Sequence, residues 1–155
     1  MEIENLSKDQ LECLIKKAQN QIVVVENTNL DDGYLKMFEI AKELIRLSKE
    51  CGADYAKFQK RNPKELLAED QFNAPHPEPW QSYGESYGKH REFLEFNIQQ
   101  HAELKKYAEE IGIQYAVSVW DVTSANEIIS INPEFIKIPS ACNNNFSLLK
   151  LIRDN

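Results

Sequence analysis

The chain has 155 residues, with 18 Lys and Arg against 25 Asp and Glu, and a formal net charge of −7 at neutral pH. This acidic balance, without any basic stripe, excludes a general nucleic-acid binder, because affinity for phosphate backbones rests on many cations releasing counterions. The longest apolar run, Ile22 to Val25, is far short of the roughly 20 residues of a spanning helix, and the Met1-Glu2-Ile3-Glu4 start lacks the basic region of a signal peptide. No membrane association is expected.

With 42% hydrophobic and 28% charged residues the composition is that of one globular domain. Cys13, Cys51 and Cys142 are odd in number, widely spaced and form no CxxC pair. Neither a disulfide framework nor a zinc ribbon is indicated, and the expected setting is reducing and cytoplasmic.

In chain order, Ser7 and Gln10 form a capping box, with Leu6 and Leu11 at the hydrophobic-staple positions. They predict an N-terminal helix over about Lys8 to Gln19, within a segment 1–20 set apart from the rest, 21–155. Its apolar stripe is Leu11, Leu14, Ile15 and Ala18. The β-branched run Gln21 to Glu26 predicts a strand buried on both faces. An Asp31-Asp32-Gly33 turn precedes a helix marked by Met37, Ala41, Leu44, Ile45 and Ser48, which stops near Gly52 as a C′ residue. Ala53 to Gln59 predicts a second strand.

Residues 61–89, punctuated by Pro63, Pro75, Pro77, Pro79, Gly84 and Gly88, predict a long loop of the kind that serves as a lid or binding loop. Leu94, Ile98, Leu104, Ala108 and Ile111 mark a long helix closed by Gly112, and a strand follows from Gln114 to Asp121. Ser124 and Glu127 form a capping box for a short helix ending before Asn132-Pro133. Glu134 to Ser140 predicts a fourth strand, and Asn143 to Asn145 cap a last helix through Leu148, Leu149 and Ile152. Four strand–helix alternations imply an α/β fold with βαβ units, a parallel sheet and right-handed crossovers.

In parallel α/β folds the chemistry gathers where strands end. The polar residues there are Glu26, Lys57 with Gln59, Ser118 with Asp121, and Lys137 with Ser140. Each lysine is flanked by apolar residues, Ala56 and Phe58 or Ile136 and Ile138. A buried ammonium must be paired or bind an anion. Strand alternation places Lys57 opposite Phe58 and Lys137 opposite Ile136 and Ile138. Two readings follow: the two lysines share one layer and, with the Ser118 and Ser140 hydroxyls, bind a small polyanion such as a phosphorylated acid, or each is held in a structural ion pair with a carboxylate such as Glu26.

The segments Gly52-Ala-Asp-Tyr-Ala-Lys-Phe-Gln59, Ile111-Gly-Ile-Gln-Tyr-Ala-Val-Ser-Val-Trp-Asp121 and Phe135-Ile-Lys-Ile-Pro-Ser140 resemble the second, third and fourth strands of the N-acetylneuraminate (sialic acid) synthase family. The resemblance runs from about Gln21 to the C-terminus. It implies a phosphoenolpyruvate-dependent (β/α) barrel, of which four βα units, half a barrel, are present together with the extra N-terminal helix. It also implies a transferase that condenses phosphoenolpyruvate with N-acetylmannosamine or a related amino sugar, releasing phosphate, with a divalent metal, Mn or Mg, polarising the sugar aldehyde.

By that resemblance Lys57 and Lys137 bind the phosphoenolpyruvate phosphate and carboxylate, Ser118 and Ser140 donate hydrogen bonds, Gln59 contacts substrate, and Glu26 is the catalytic-site carboxylate of the first strand. The metal-binding histidines of the family fall in the half-barrel beyond this chain, so no metal ligand is expected among these residues. Two departures stand out. Asn27-Thr-Asn-Leu-Asp-Asp-Gly33 replaces the family's Gly-x-Asn-His-x-Gly loop, and Cys142 stands where a sugar-contacting carboxylate is usual.

Among the remaining features, eleven residues at about 1.5 Å rise would hold His90 and His101 about 16 Å apart on one helix, too far to share an ion. His76 lies in the proline-rich loop. Trp80, Tyr83 and Tyr87 form either a sugar-stacking wall or loop packing, and Lys105-Lys106 with Glu109-Glu110 make i, i+4 pairs on a solvated face. Two expectations for the whole follow: the first half of a synthase completed by a complementing chain or as a homodimer, or a non-catalytic half-barrel that self-associates through open sheet edges.

Overall fold

The computed structural model describes residues 30–155, with side chains from Leu35 onward. The expected helix over 8–19, its Ser7–Gln10 box, Cys13, the strand Gln21–Glu26 and the candidate Glu26 lie outside the described residues. Helix α1 spans Leu30–Glu50, strand β1 Tyr55–Lys60, α2 Pro63–Leu66, α3 Glu69–Asn73, α4 Tyr87–Phe93, α5 Ile98–Ile111, β2 Gln114–Val119, α6 Val122–Ser130, β3 Phe135–Lys137 and α7 Phe146–Arg153. Short 3-10 turns occupy Pro79–Gln81 and Ser140–Cys142. The strands form a parallel sheet in the order β1-β2-β3. The described chain is thus an α/β fold with three strands in its sheet.

The chain divides into two compact units, one of residues up to Ala56 with Glu103–Tyr115 and one of Lys57–Ala102 with Ala116–Asn155. In the first, α1 begins at Leu30 and absorbs the expected Asp31–Gly33 turn. Its buried stripe is Phe38, Ala41, Ile45 and Leu47, while Leu44, counted as apolar face from the sequence, is exposed. Gly52 ends the helix as expected: its φ is +80°, and the Ala53 amide reaches back to the Ser48 carbonyl at 3.0 Å. Gly112 closes α5 in the same way with φ +75° and the Ile113 amide on Ala108 O at 3.0 Å. A left-handed residue at C′ is cheap only for glycine.

In the second unit the segment expected as a long loop holds α2, α3, a 3-10 turn and the start of α4. Two of the four prolines are helix starters here. Pro63 and Pro79 sit in the first turns of their helices, where the missing N–H would be unbonded anyway. Asn62 caps α2, its side chain accepting from the Lys64 amide at 3.2 Å. Gly88 on α4 packs so closely on Phe72 that an added Cβ would lie 2.3 Å from the ring. Tyr83 stacks on Phe93 and His90, at 5.0 and 5.7 Å between ring centroids, so it packs inward. Trp80 stays 79% exposed.

The helix expected to run on from Leu94 is broken into α4 and α5. Asn97 and Gln100 form a reciprocal capping box, each side chain accepting from the other's amide at 2.9 Å, and α5 starts there. His90 and His101 consequently sit on different helices. Lys105–Glu109 and Lys106–Glu110 pair along the surface of α5, as expected. The N-cap of α6 is Asp121, three residues before the expected Ser124. The last expected strand is short, Phe135–Lys137, and Asn145 caps α7 through the Leu148 amide at 3.2 Å.

His101 is fully buried, edge-on to Phe96 at 6.2 Å. Burial, helped by the Lys60 charge, pushes its pKa down to about 4. The unfolded imidazole titrates near pH 6.5, so below that pH the unfolded chain takes up a proton that the folded chain refuses. Stability is therefore full above about pH 6.5 and falls until about pH 4, by a loss on the order of 3 kcal/mol. Urea midpoints from pH 7.5 to 4.5 should drop for the native chain, and His101→Phe should remove this component. Gly88→Ala should lower stability by about 1–3 kcal/mol through its clash with Phe72, read in the same urea titration.

Candidate functional site

The polar residues expected at the strand ends divide by strand alternation. On β1, Ala56 and Lys60 are buried and Phe58 half-buried, whereas Lys57 and Gln59 are exposed. In the β2–β3 ladder Ala116 pairs with Phe135, Val117 with Ile136 and Ser118 with Lys137. Residues opposite one another in a ladder point to the same face. Ser118, 2% exposed, therefore shares its face with exposed Lys137. Trp120 continues the alternation of Ser118, and its indole Nε1–H donates to Gln59 Oε1 at 3.0 Å. Lys57, Gln59, Ser118 and Lys137 thus lie on one face of the sheet. Ser140 is exposed at the first position of the turn after β3.

The two candidate lysines are not buried, contrary to the reading of their apolar neighbours. Those neighbours occupy the other face. Among the described residues neither Lys57 nor Lys137 is in an ion pair with a carboxylate. The buried lysine is Lys60, 8% exposed, which pairs with Glu127 at 3.1 Å on the covered side. The sequence reading missed it, although the alternation Ala56, Phe58, Lys60 marks that face.

Asp121, noted only as a strand-end carboxylate, organises the site's edge. It is 2% exposed and accepts from the Asn62 amide at 2.7 Å, the Ser124 amide at 2.7 Å and the Ser124 hydroxyl at 2.8 Å. Glu65 on α2 accepts from the amides of Val122 and Thr123 at 3.1 and 3.3 Å. Burial pushes the Glu65 carboxyl up, but the Thr123 side chain and these two amides outweigh it and hold the pKa below the usual range. The first three amides of α6, those of Val122, Thr123 and Ser124, are thus satisfied by carboxylates, and the Ala125 amide makes the first regular helical bond, to Asp121 O at 3.0 Å. Two carboxylates already answer its positive end.

Cys142 is buried, and its thiol donates to the Trp120 carbonyl at 3.3 Å. Burial and the nearby Asp121 charge push its pKa up against the opposing pull of Lys137. A thiol held protonated is a poor nucleophile. The described residues do not fit a metal centre: no three His, Cys, Asp or Glu side chains converge among them. His76 Nδ1 is taken up by the Glu78 backbone and His90 Nδ1 by the Tyr83 amide at 3.2 Å. No helix among the described residues is long and apolar enough to cross a membrane.

A parallel α/β sheet with its polar residues gathered on one face at the strand ends defines a class of fold that places ligands beyond its strands. The chain belongs to the NeuB family, whose profile matches residues 44–155. It is similar to the N-acetylneuraminate-9-phosphate synthase of Homo sapiens, 38% identical over 112 residues that cover 72% of this chain and 31% of that one. It is also similar to the N,N'-diacetyllegionaminic acid synthase of Campylobacter jejuni, 28% identical over 73% of this chain and 34% of that one. The fold resembles the crystal structure of a sialic acid synthetase from Leptospira borgpetersenii in complex with citrate, with TM-score 0.59 and 23% identity over 76% of this chain and 36% of that one. The chain spans about a third of the length of the relatives it matches.

Asp121→Ala should cost about 2–4 kcal/mol, since it strands buried donors of Asn62 and Ser124 and removes the α6 cap. Thermal unfolding of the variant checks this. Asp121→Asn, which keeps an acceptor, should recover part of the loss.

Proposed function

We propose that this chain forms the phosphoenolpyruvate-binding part of a sialic acid synthase-like enzyme, one that condenses phosphoenolpyruvate with N-acetylmannosamine or a related sugar to give a nonulosonic acid. The observation that carries the reading is the pair of exposed lysines, Lys57 and Lys137, on one sheet face, with Ser118 opposite Lys137 in the ladder. Strands β1 and β3 lie two ladder spacings apart, roughly 10 Å. Two long lysine side chains from them can converge on one small anion between. With the start of α6 already neutralised by Asp121 and Glu65, the cations fall to these lysines.

In this reading Lys57 and Lys137 neutralise the phosphate and carboxylate, and the Ser118 and Ser140 hydroxyls donate to their oxygens. Gln59 contacts substrate, and Glu26 supplies the catalytic carboxylate. Fixed positive groups stabilise charge that moves onto phosphate as it leaves, without the cost of reorganising water. The divalent cation implied by the family would be held by residues other than the described ones, where it would polarise the sugar aldehyde. The remaining strands of a (β/α) barrel would come from a complementing segment or a second copy. Free thiols at Cys51 and Cys142 agree with a reducing, cytoplasmic setting.

Calorimetric titration with phosphoenolpyruvate tests the reading. The folded chain should bind saturably, and Lys57→Ala and Lys137→Ala should each weaken binding about tenfold or more, the scale of a lost charge-assisted contact. No binding by the folded native chain, or native-like binding by both variants, would overturn the proposal and favour a non-catalytic half-barrel.

A further inference from the structure

Trp120 leaves the end of β2 on the same face as Ser118, and its side chain reaches Gln59 on β1. Its indole has one polar group, the Nε1–H, which can only donate. That group sits 3.0 Å from Gln59 Oε1. The contact fixes which way the Gln59 amide lies, because the flipped amide would set N–H against N–H. The Trp120 backbone is itself tied down. Its carbonyl accepts from the Cys142 thiol at 3.3 Å, and Cys142 is buried in the turn that Ser140 opens. A chain of contacts therefore runs from the turn after β3, through the end of β2, to the end of β1.

We propose that Trp120 is a positioning residue for Gln59, holding its carbonyl oxygen on the indole N–H so that its NH2 is presented to ligand as a donor. This rests on the reading of the Lys57–Lys137 face as the phosphoenolpyruvate site. On that face Lys57 and Lys137 offer only N–H donors and Gln59 joins them, so the face selects a ligand rich in acceptors, with phosphate or carboxylate oxygens. A ligand that brings its own N–H or O–H donors finds no carbonyl of Gln59 waiting. The aromatic body of Trp120 is incidental to this role; the single N–H carries it.

The test uses the whole chain and ¹H–¹⁵N spectra of its two indoles, with 79%-exposed Trp80 as internal reference. The Trp120 indole proton should exchange with water about tenfold more slowly than that of Trp80. Gln59→Ala should abolish the difference, while Gln59→Glu, which keeps an acceptor, should retain it. On titration with phosphoenolpyruvate the Gln59 side-chain NH2 signals should shift. Trp120→Phe should weaken binding about fivefold, the scale of one neutral hydrogen bond, and Gln59→Glu should weaken it further although its indole contact survives.

An unprotected Trp120 indole, or one indifferent to Gln59→Ala, overturns the inference. So does phosphoenolpyruvate binding that leaves the Gln59 NH2 unmoved or is unchanged in Trp120→Phe. Absence of phosphoenolpyruvate binding by the native chain instead overturns the reading of the site, and the ligand-free exchange rates still decide whether Trp120 holds the amide.

Discussion

The buried carboxylate of Asp121 joins the strand ends to the helices that follow them. An ionised group taken out of water is tolerable only when hydrogen bonds replace its hydration. Here they come from Asn62, just past β1, and from Ser124, in the first turn of α6. Glu65 on α2 completes the same helix start. The ends of β1 and β2 and the starts of α2 and α6 are thereby held in one hydrogen-bonded knot, and the open face of the sheet is positioned from it.

That knot also separates two kinds of charge. On the covered side Lys60 faces Glu127, and burial, helped by the Lys60 charge, keeps His101 neutral, so the charged groups there compensate one another or stay neutral. On the open side Lys57 and Lys137 are exposed and, among the described residues, meet no carboxylate. The N-terminus of α6, positive by its dipole, is already occupied by Asp121 and Glu65. The division gives the proposed synthase site its cations without asking the fold to bury an unpaired one.

Local signals read correctly in the sequence were those that need only neighbours along the chain. Gly52 and Gly112 each sit where the backbone turns left-handed, Asn145 caps α7, and strand parity placed Lys57 opposite Phe58. Where two local signals competed, tertiary contacts decided. Asp121–Ser124 displaced Ser124–Glu127 as the α6 cap because Asp121 also receives the Asn62 amide, while Glu127 is drawn to Lys60. The Asn97–Gln100 box that divides α4 from α5 was present in the sequence but masked by the apolar periodicity running across it. Pro63 and Pro79 act as starters of short helices rather than as marks of an open loop. The exposure of Lys57 and Lys137 was not readable, since apolar neighbours along a strand belong to its opposite face.

The most direct test of this arrangement is a crystal structure of the chain grown with phosphoenolpyruvate. The expected result is a bound molecule on the open sheet face, with its phosphate and carboxylate oxygens in hydrogen-bond reach of Lys57 Nζ and Lys137 Nζ. A structure with the two lysines on opposite faces, or with the ligand bound elsewhere while this face stays empty, would contradict it.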